Sequence, residues 1–299
     1  MSVLVVGEAL VEFMRSRRDV PLDRSAEIVG PFPSGAPAIF ADYLARLGSP
    51  VALCAVVGDD PFGSMLVERL GRDGVDVGHV RVDPDRTTAT AFVSYSSEGS
   101  RTFVFHVRHA AAAQLTAADL GDLPERSDWI HVSGSTVALV PSMAEVVAGA
   151  VRRVQAAGGK LSVDPNVRPE AASPAAIEQV RELVGVADFV FPSLGELAVL
   201  GVDEEELAER GAVVCTTLGA AGARVRVGDE VTPVAAPAAR EVDPTGAGDA
   251  FAAGFTAATI LGADPGTAAR IACEIAARSV AVLGPMEAEV EPLTIRPSG

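Results

Sequence analysis

Residues 246–249 place two closely spaced glycines and an acidic residue at the start of an apolar, alanine-rich run. Gly246 and Gly248 allow the backbone to turn tightly and approach a ligand closely. The N–H groups of Gly246, Ala247 and Gly248 would then lie at a helix N-terminus, which carries about half a positive charge and binds anions. Asp249 would fall in the first turn, where a carboxylate can accept the proton of a hydroxyl that attacks phosphorus. The simpler interpretation is a loop followed by a capped helix, because Asp is a favoured cap.

The composition limits the partners that such a site can have. The 299 residues carry 24 Lys and Arg against 40 Asp and Glu, a formal net charge of −16. This field repels nucleic acid, so no nucleic-acid partner is expected. The most apolar stretch, residues 250–262, is shorter than the ~20 residues of a spanning helix, and no membrane partner is expected. The odd number of cysteines, at 54, 215 and 273, fits reduced thiols and predicts a cytoplasmic protein.

The elements that would position this segment alternate between strand and helix. Short apolar runs typical of buried strands are separated by runs with helical spacing, and the main ones are residues 3–6, 38–47, 51–57, 129–132, 141–157, 161–163, 187–191, 213–217, 224–227, 250–261 and 265–283. This alternation predicts an α/β fold with a doubly wound, mostly parallel sheet flanked by helices.

One region departs from the alternation. Residues 87–95 and 101–107 are rich in β-formers and flank a turn that contains Gly99, which predicts a hairpin. Residues 11–31 also lack helical periodicity. We expect one domain over residues 1–299, with a small β lid formed by about 11–31 and 87–110 that excludes water from the reaction.

The string Asp243-Pro-Thr-Gly-Ala-Gly-Asp249 resembles the D-T-x-G-A-G-D signature of the PfkB family of carbohydrate kinases, which have a ribokinase-like fold. Further stretches are typical of this family and follow in the expected order, namely residues 5–12, 33–38 with 45–48, 57–63 with 74–75, 164–168 and 217–222. No G-x-G-x-x-G follows the first strand and no GxxxxGK[ST] occurs, so neither a dinucleotide-binding oxidoreductase nor a P-loop kinase is expected.

The resemblance implies an ATP-dependent sugar kinase. Asp249 would be its general base, and the amides of Gly246, Ala247 and Gly248 would form the anion hole. It places four residues at the nucleotide: Thr217, Gly219, Gly222 and Thr245. Glu196 would act indirectly at Mg²⁺, although Ser193 stands where the family usually has Asn. The Asp243 loop would be the place for a monovalent cation such as K⁺.

For the sugar, the resemblance implies contacts from the first strand and from the second glycine motif. Glu12 would accept from two hydroxyls, beside Ser34, Gly35 and Ala36, while Ile39 stands where the family usually has Asn. Arg168 would point into the cleft or form a surface ion pair. On the lid, period-two alternation puts His106 and Arg108 on one face, which either overhangs the sugar or is solvated.

The lid and the second glycine motif look most like those of ketohexose kinases of the tagatose or fructose type. The alternatives are a 2-keto-3-deoxygluconate kinase, a nucleoside kinase of the same fold and a non-catalytic sugar sensor. The expected ligands are a sugar, ATP and Mg²⁺, with K⁺ as an option. Small β lids of this family often pair, so a homodimer through the lid is also expected.

Overall fold

The computed structural model describes residues 1–98, 100–167 and 172–295. The strands of these residues are, in chain order, β1 (Val3–Val6), β2 (Leu10–Arg15), β3 (Ile28–Ser34), β4 (Val51–Gly58), β5 (Val80–Asp83), β6 (Ala89–Tyr95), β7 (Arg101–His106), β8 (Trp129–Ser133), β9 (Lys160–Asp164), β10 (Phe189–Val190), β11 (Val213–Thr217), β12 (Ala223–Val227) and β13 (Glu230–Val234).

The α-helices are α1 (Ala36–Arg46), α2 (Pro61–Arg72), α3 (Leu123–Arg126), α4 (Gly134–Leu139), α5 (Ala144–Ala156), α6 (Pro174–Gly185), α7 (Glu196–Leu200), α8 (Glu204–Glu209), α9 (Ala247–Ile260) and α10 (Pro265–Ser279). Short 3₁₀ helices lie at Ala111–Gln114, Pro141–Met143 and Gly219–Ala221. Within the described ranges, no helix has the length and apolarity needed to span a bilayer.

Nine strands form the large sheet, in the order β13-β12-β11-β10-β9-β8-β1-β4-β5. All neighbouring strands from β5 to β11 in this order run parallel to one another. The pairs β11–β12 and β12–β13 are antiparallel. Parallel neighbours need crossover connections, which the intervening helices supply. The predicted α/β fold with a mostly parallel sheet flanked by helices is therefore confirmed.

The two faces of the sheet are covered by different helices, and β1 explains why. Its four residues are all buried, and successive side chains point to opposite faces. Val3 and Val5 belong to the core that contains α1 and α9, whereas Leu4 and Val6 belong to the core that contains α5 and α6. A strand between two helical layers must be apolar at every position.

Four further strands form the second, smaller sheet, in the order β3-β2-β6-β7. Strands β6 and β7 pair antiparallel as the predicted hairpin, and β2 lies parallel to β6 and antiparallel to β3. The chain between β2 and β3 is held by Arg15, whose Nη1 donates to the carbonyl of Ala26 at 2.7 Å and whose Nη2 donates to that of Pro21 at 3.0 Å. We use the name lid sheet for β2, β3, β6 and β7.

The last helix is shorter than its apolar pattern predicts. The prediction runs to residue 283, but α10 ends at Ser279. The carbonyl of Val280 accepts the backbone N–H groups of Val242 at 2.7 Å and of Asp243 at 3.2 Å. This tertiary pairing uses the carbonyl that a continuing helix would need, so the chain turns away instead.

Candidate active site

A pocket of about 100 Å³ lies between the large sheet and the lid sheet. Beneath the pocket, the order in which strands are added to the large sheet reverses, because β1 has β4 on one side and β8 on the other. Ligands of open α/β sheets bind at the carboxyl ends of strands at such a switch point. The pocket accordingly contains Glu8 after β1, Ser135 after β8 and Asn166 after β9.

The start of α9 forms one wall of the pocket. Gly246 precedes the helix with φ of 76°, a left-handed conformation that favours glycine, and its carbonyl accepts the N–H of Ala250 at 2.8 Å. The side chain of Asp249 is buried and, like Gly246, lines the pocket. The first-turn amides of a helix lack intrahelical acceptors, so this wall is suited to an anion. The predicted placement of Gly246, Ala247, Gly248 and Asp249 at a helix start is thus observed, while their catalytic roles stay predictions.

Asp164 approaches the same helix start from β9. A Cβ added to Gly248 would lie 3.6 Å from Oδ2 of Asp164, whose Oδ1 accepts the N–H of Asn166 at 2.9 Å. The motif 164–168 therefore reaches the proposed anion site through its first residue. Arg168, which the sequence places at the substrate, lies outside the described residues.

Glu12 is the acidic group at the lid side of the pocket. It belongs to β2, is 3% exposed, and its Oε2 accepts from Ser34 Oγ at 2.8 Å. Burial raises the pKa of Glu12 to about 7, partly offset by the Ser34 hydrogen bond, while the charge of Asp243 raises it further.

Ser34, Gly35 and Ala36 line the pocket, as the sequence predicts for the sugar side. Gly35 precedes α1 with φ of 101°, and a Cβ there would come within 2.7 Å of the carbonyl oxygen of Glu8. Ile39 also lines the pocket and lies against Gly246, where a Cβ would be 3.0 Å from Ile39 Cγ2. The side chain at position 39 therefore presents an apolar surface where the family usually offers an amide.

Thr245 lies with Glu12 and not with residues 217–222. Its Oγ1 donates to Asp243 Oδ1 at 2.7 Å, lies 3.5 Å from Glu12 Oε1, and contacts the Tyr95 hydroxyl. The sequence predicts Thr245 at the nucleotide, whereas the structure places its hydroxyl in this buried network. The motif alone could not show toward which side of the loop the Thr245 side chain points, because it places Thr245 only as the residue before Gly246.

Glu8 is a pocket carboxylate that the sequence prediction missed. Its two oxygens accept from Ser135 Oγ at 3.0 Å and Thr136 Oγ1 at 2.6 Å. Burial raises its pKa, although both hydroxyl contacts oppose that shift. The signal was present, since Glu8 is an acidic residue two positions after a fully buried strand.

The hairpin formed by β6 and β7 turns toward the pocket the face of β7 that is opposite to His106. Arg101, Phe103 and Phe105 line the pocket, and Phe103 stacks on Phe105 with ring centroids 5.1 Å apart. His106 is exposed and its ring meets the edge of Phe92, which is not a pocket residue. Arg108 lies beyond the end of β7, in an exposed turn. His106 and Arg108 therefore do not line this pocket, which agrees with the solvated alternative, and Arg101 is the basic residue of the hairpin that lines it.

Three of the four predicted nucleotide residues, Thr217, Gly219 and Gly222, lie at the carboxyl end of β11. Thr217 pairs with Ser193 in an isolated bridge, and the N–H of Ser193 donates to Glu196 Oε2 at 2.8 Å. Gly219 and Gly222 form the following turn, in which the Leu218 N–H donates to the carbonyl of Gly222 at 2.8 Å. The structure thus brings Thr217, Ser193 and Glu196 together, and the Thr217 hydroxyl lies 3.4 Å from Ser193 Oγ.

Comparisons with known proteins agree with this geometry. Residues 1–291 match the model of the pfkB family carbohydrate kinases. Two similar relatives are the fructokinases of Salmonella typhimurium, 31% identical over 85% of this chain and 83% of that one, and of Vibrio alginolyticus, 32% identical over 88% and 85%. The chain belongs to the pfkB family of carbohydrate kinases.

Solved structures place the resemblance in three dimensions. A putative ribokinase II from E. coli superposes with a TM-score of 0.90 at 35% identity, covering 97% of this chain and 96% of that one. The fructokinase of Vibrio cholerae O395, solved with fructose, ADP and calcium ion, superposes with a TM-score of 0.80 at 30% identity over 96% and 95%. The ribokinase-like fold is confirmed.

Proposed function

We propose that this chain is an ATP-dependent ketohexose kinase with fructose as its preferred acceptor. The observation that carries the proposal is one small pocket in which Asp249, at the start of α9, shares the space with Glu12 from the lid sheet. One carboxylate can take the proton of the reacting hydroxyl, and the other can hold further hydroxyls. The fructokinase relatives support a ketohexose in that pocket.

The mechanism assigns each group one task. Asp249 accepts the proton of the sugar hydroxyl. The hydroxyl oxygen forms a bond to the γ-phosphorus of ATP, while the bond between that phosphorus and the bridging oxygen breaks and ADP leaves. The first-turn amides of Gly246, Ala247 and Gly248 stabilise the charge on the phosphoryl oxygens. Glu12 orients the sugar through its hydroxyls, and Arg101 with Phe103 closes the pocket from the lid.

Thr217, Gly219 and Gly222 would line the nucleotide at the end of β11. Glu196 and Asp164 offer the carboxylate oxygens that Mg²⁺ prefers, and Mg²⁺ would neutralise phosphate charge there. The E. coli ribokinase II solved with ATP and Mg²⁺ supports Mg²⁺ as the ion that accompanies the nucleotide. A K⁺ ion at the Asp243 loop is a separate proposal, supported by the Vibrio cholerae fructokinase variant solved with potassium ion. Replacing K⁺ by Na⁺ in the assay tests it.

The charges of the pocket favour a neutral sugar over a keto-acid. Glu8, Glu12 and Asp249 line it, and Arg101 is the one cationic side chain among its described lining residues. The ionised form of these carboxyls would repel the carboxylate of 2-keto-3-deoxygluconate, and because burial raises the pKa of Glu8 and Glu12, this repulsion should strengthen as the pH rises. The same reasoning does not exclude a nucleoside, which is neutral.

An ATP-consumption assay over a panel of acceptors tests the substrate. We expect the highest kcat/KM with fructose or tagatose, and lower values with ribose, glucose, 2-keto-3-deoxygluconate and adenosine. A preference for the keto-acid or for adenosine would replace ketohexose by that class. Binding of sugar without ATP consumption would instead indicate a sensor.

We also propose a cytoplasmic homodimer that forms through the lid sheet. Its edge strands β3 and β7 carry exposed apolar residues, Ile28 and Val104, each 42% exposed. Exposed strand edges pair readily with another chain. In sedimentation experiments the wild type should form a dimer, and Val104→Lys should dissociate to monomers at higher concentration than the wild type. A monomeric wild type at micromolar concentration would contradict the proposal.

A further inference from the structure

Tyr95 connects the lid sheet to the loop that precedes α9. It ends β6 and is paired with Arg101 across the hairpin. Its hydroxyl lies 3.2 Å from Asp243 Oδ1 and contacts Thr245 Oγ1. Tyr95 itself does not line the pocket that the described residues form. It can therefore influence a reaction in that pocket only through other residues.

The acceptor of this contact is itself tightly held. Asp243 is 2% exposed, and its Oδ1 accepts the Thr245 N–H at 3.0 Å as well as the Thr245 hydroxyl. Its Oδ2 accepts the N–H of Gly284 at 3.0 Å. Hydrogen bonds in such buried surroundings are costly to leave unmade, so the loop has one strongly preferred arrangement.

The loop passes this arrangement directly to the anion site. Thr245 is followed by Gly246, whose left-handed backbone starts α9 and directs its first amides. A change in the orientation of Thr245 would turn these amides away from the position of the phosphoryl oxygens. Such a change would affect the transition state more than the bound substrates.

We propose that Tyr95 is a positioning residue, which couples the lid sheet to the 243–246 loop and thereby aligns the anion hole at the start of α9. The proposal rests on the proposed kinase function and adds a role for a residue that does not line the described pocket. The hydroxyl of Tyr95 is the atom that performs this role.

Tyr95→Phe removes only that hydroxyl. We expect kcat to fall about tenfold, the effect of losing one hydrogen bond to a charged group, with the KM for sugar and for ATP within about twofold of the wild type. Tyr43→Phe is the matched control, because Tyr43 is the other of the chain's two tyrosines and lies buried on α1, outside the pocket. Its kinetic constants should equal those of the wild type.

Two results would overturn the proposal. A raised sugar KM with unchanged kcat would mean that Tyr95 shapes sugar binding, and unchanged kinetics would mean that it is merely structural. The route is tested with Thr245→Val: the double variant with Tyr95→Phe should have the kcat of Thr245→Val alone. Multiplied effects would show that Tyr95 does not act through Thr245.

A stability measurement separates this proposal from the proposed function. If the wild type phosphorylates no acceptor, the kinase proposal fails. Thermal unfolding of the wild type, Tyr95→Phe, Thr245→Val and the double variant still tests the coupling between Tyr95 and Thr245. We expect the Tm change of the double variant to be smaller than the sum of the two single changes. Additive changes would show that the lid and the loop are not coupled through Tyr95.

Discussion

Asp249 is both a candidate base and a first-turn carboxylate of α9, and these two roles make different predictions. Asp249→Asn keeps the size and the helix-compatible polarity of the side chain. We expect kcat to fall by about two to four powers of ten, the usual contribution of general base catalysis, with the fold retained. Steady-state kinetics together with circular dichroism provide the measurement.

Asp264→Asn is the matched control for that variant. Asp264 caps α10 by accepting the N–H of Thr267 at 3.0 Å, so the same chemical change there alters a cap alone. It should leave kcat unchanged and lower stability by about 1 kcal/mol or less. If Asp249→Asn behaves like Asp264→Asn, then Asp249 is only a helix-terminal residue.

Arg101 and Arg108 distinguish the two faces of the lid hairpin. Arg101 lines the pocket and Arg108 is exposed in the turn after β7. We expect Arg101→Ala to raise the sugar KM about tenfold, since a hydrogen bond from a charged group is lost. Arg108→Ala should change it by less than about 0.5 kcal/mol, as ordinary surface substitutions do. Varying the sugar concentration at saturating ATP measures the sugar KM of both variants. Equal changes in KM would contradict the observation that Arg101 lines the pocket and Arg108 does not.

The start of α9 is the element on which phosphoryl transfer depends. Gly248 has room for a Cβ, which would lie 3.6 Å from Asp164 Oδ2, an ordinary contact distance. A branched side chain would extend further and displace the carboxylate or the phosphate. We expect Gly248→Ala to retain most activity and Gly248→Val to lose at least about tenfold in kcat, which corresponds to roughly 1.4 kcal/mol.

Binding measurements with both Gly248 variants locate the defect. Sugar affinity, measured by calorimetry without nucleotide, should remain near the wild-type value, because Gly248 does not line the pocket and its Cβ would face Asp164. A parallel loss of sugar affinity in Gly248→Val would show that the whole pocket has deformed. A similar loss of kcat in Gly248→Ala would place the clash at Cβ itself.

The stability of the whole molecule should depend on pH through a buried acid on α1. Asp42 lies inside α1, and burial raises its pKa to about 7, with Asp73 adding to the shift and Arg46 opposing it. Between about pH 4 and pH 7 the folded state holds a proton that the unfolded state has released. Stability therefore falls as the pH rises through this window.

Asp42→Asn should flatten that dependence. Asn mimics the protonated acid and can still accept from Arg46, whose Nη1 lies 3.1 Å from Asp42 Oδ2. Relative to the wild type, the variant should gain roughly 2.6 kcal/mol between pH 5 and pH 8, about 1.36 kcal/mol for each of the two pH units below the folded pKa. Urea unfolding at both pH values measures this difference. Glu8 and Glu12 contribute slopes of the same sign in both proteins, so an identical slope in the variant would contradict the shift at Asp42.

Much of the molecule follows from local sequence. The buried run at β1, the left-handed Gly246 before α9 and the antiparallel pairing of β6 with β7 agree with their residue types, and all three are observed. The 243–249 motif located the helix start, and the first-strand motif located Glu12. These features were predictable because they depend on residues close together in the chain.

Other features were decided by contacts between distant residues. Alternation along β7 predicts two faces but not which one meets the pocket, because that depends on the pairing of β7 with β6 and of β6 with β2. The end of α10 depends on backbone hydrogen bonds from Val242 and Asp243. The joining of Tyr95 to Thr245, 150 positions apart, depends on the docking of the lid sheet. Long-range hydrogen bonds carry no local pattern, so only the tertiary structure could supply them.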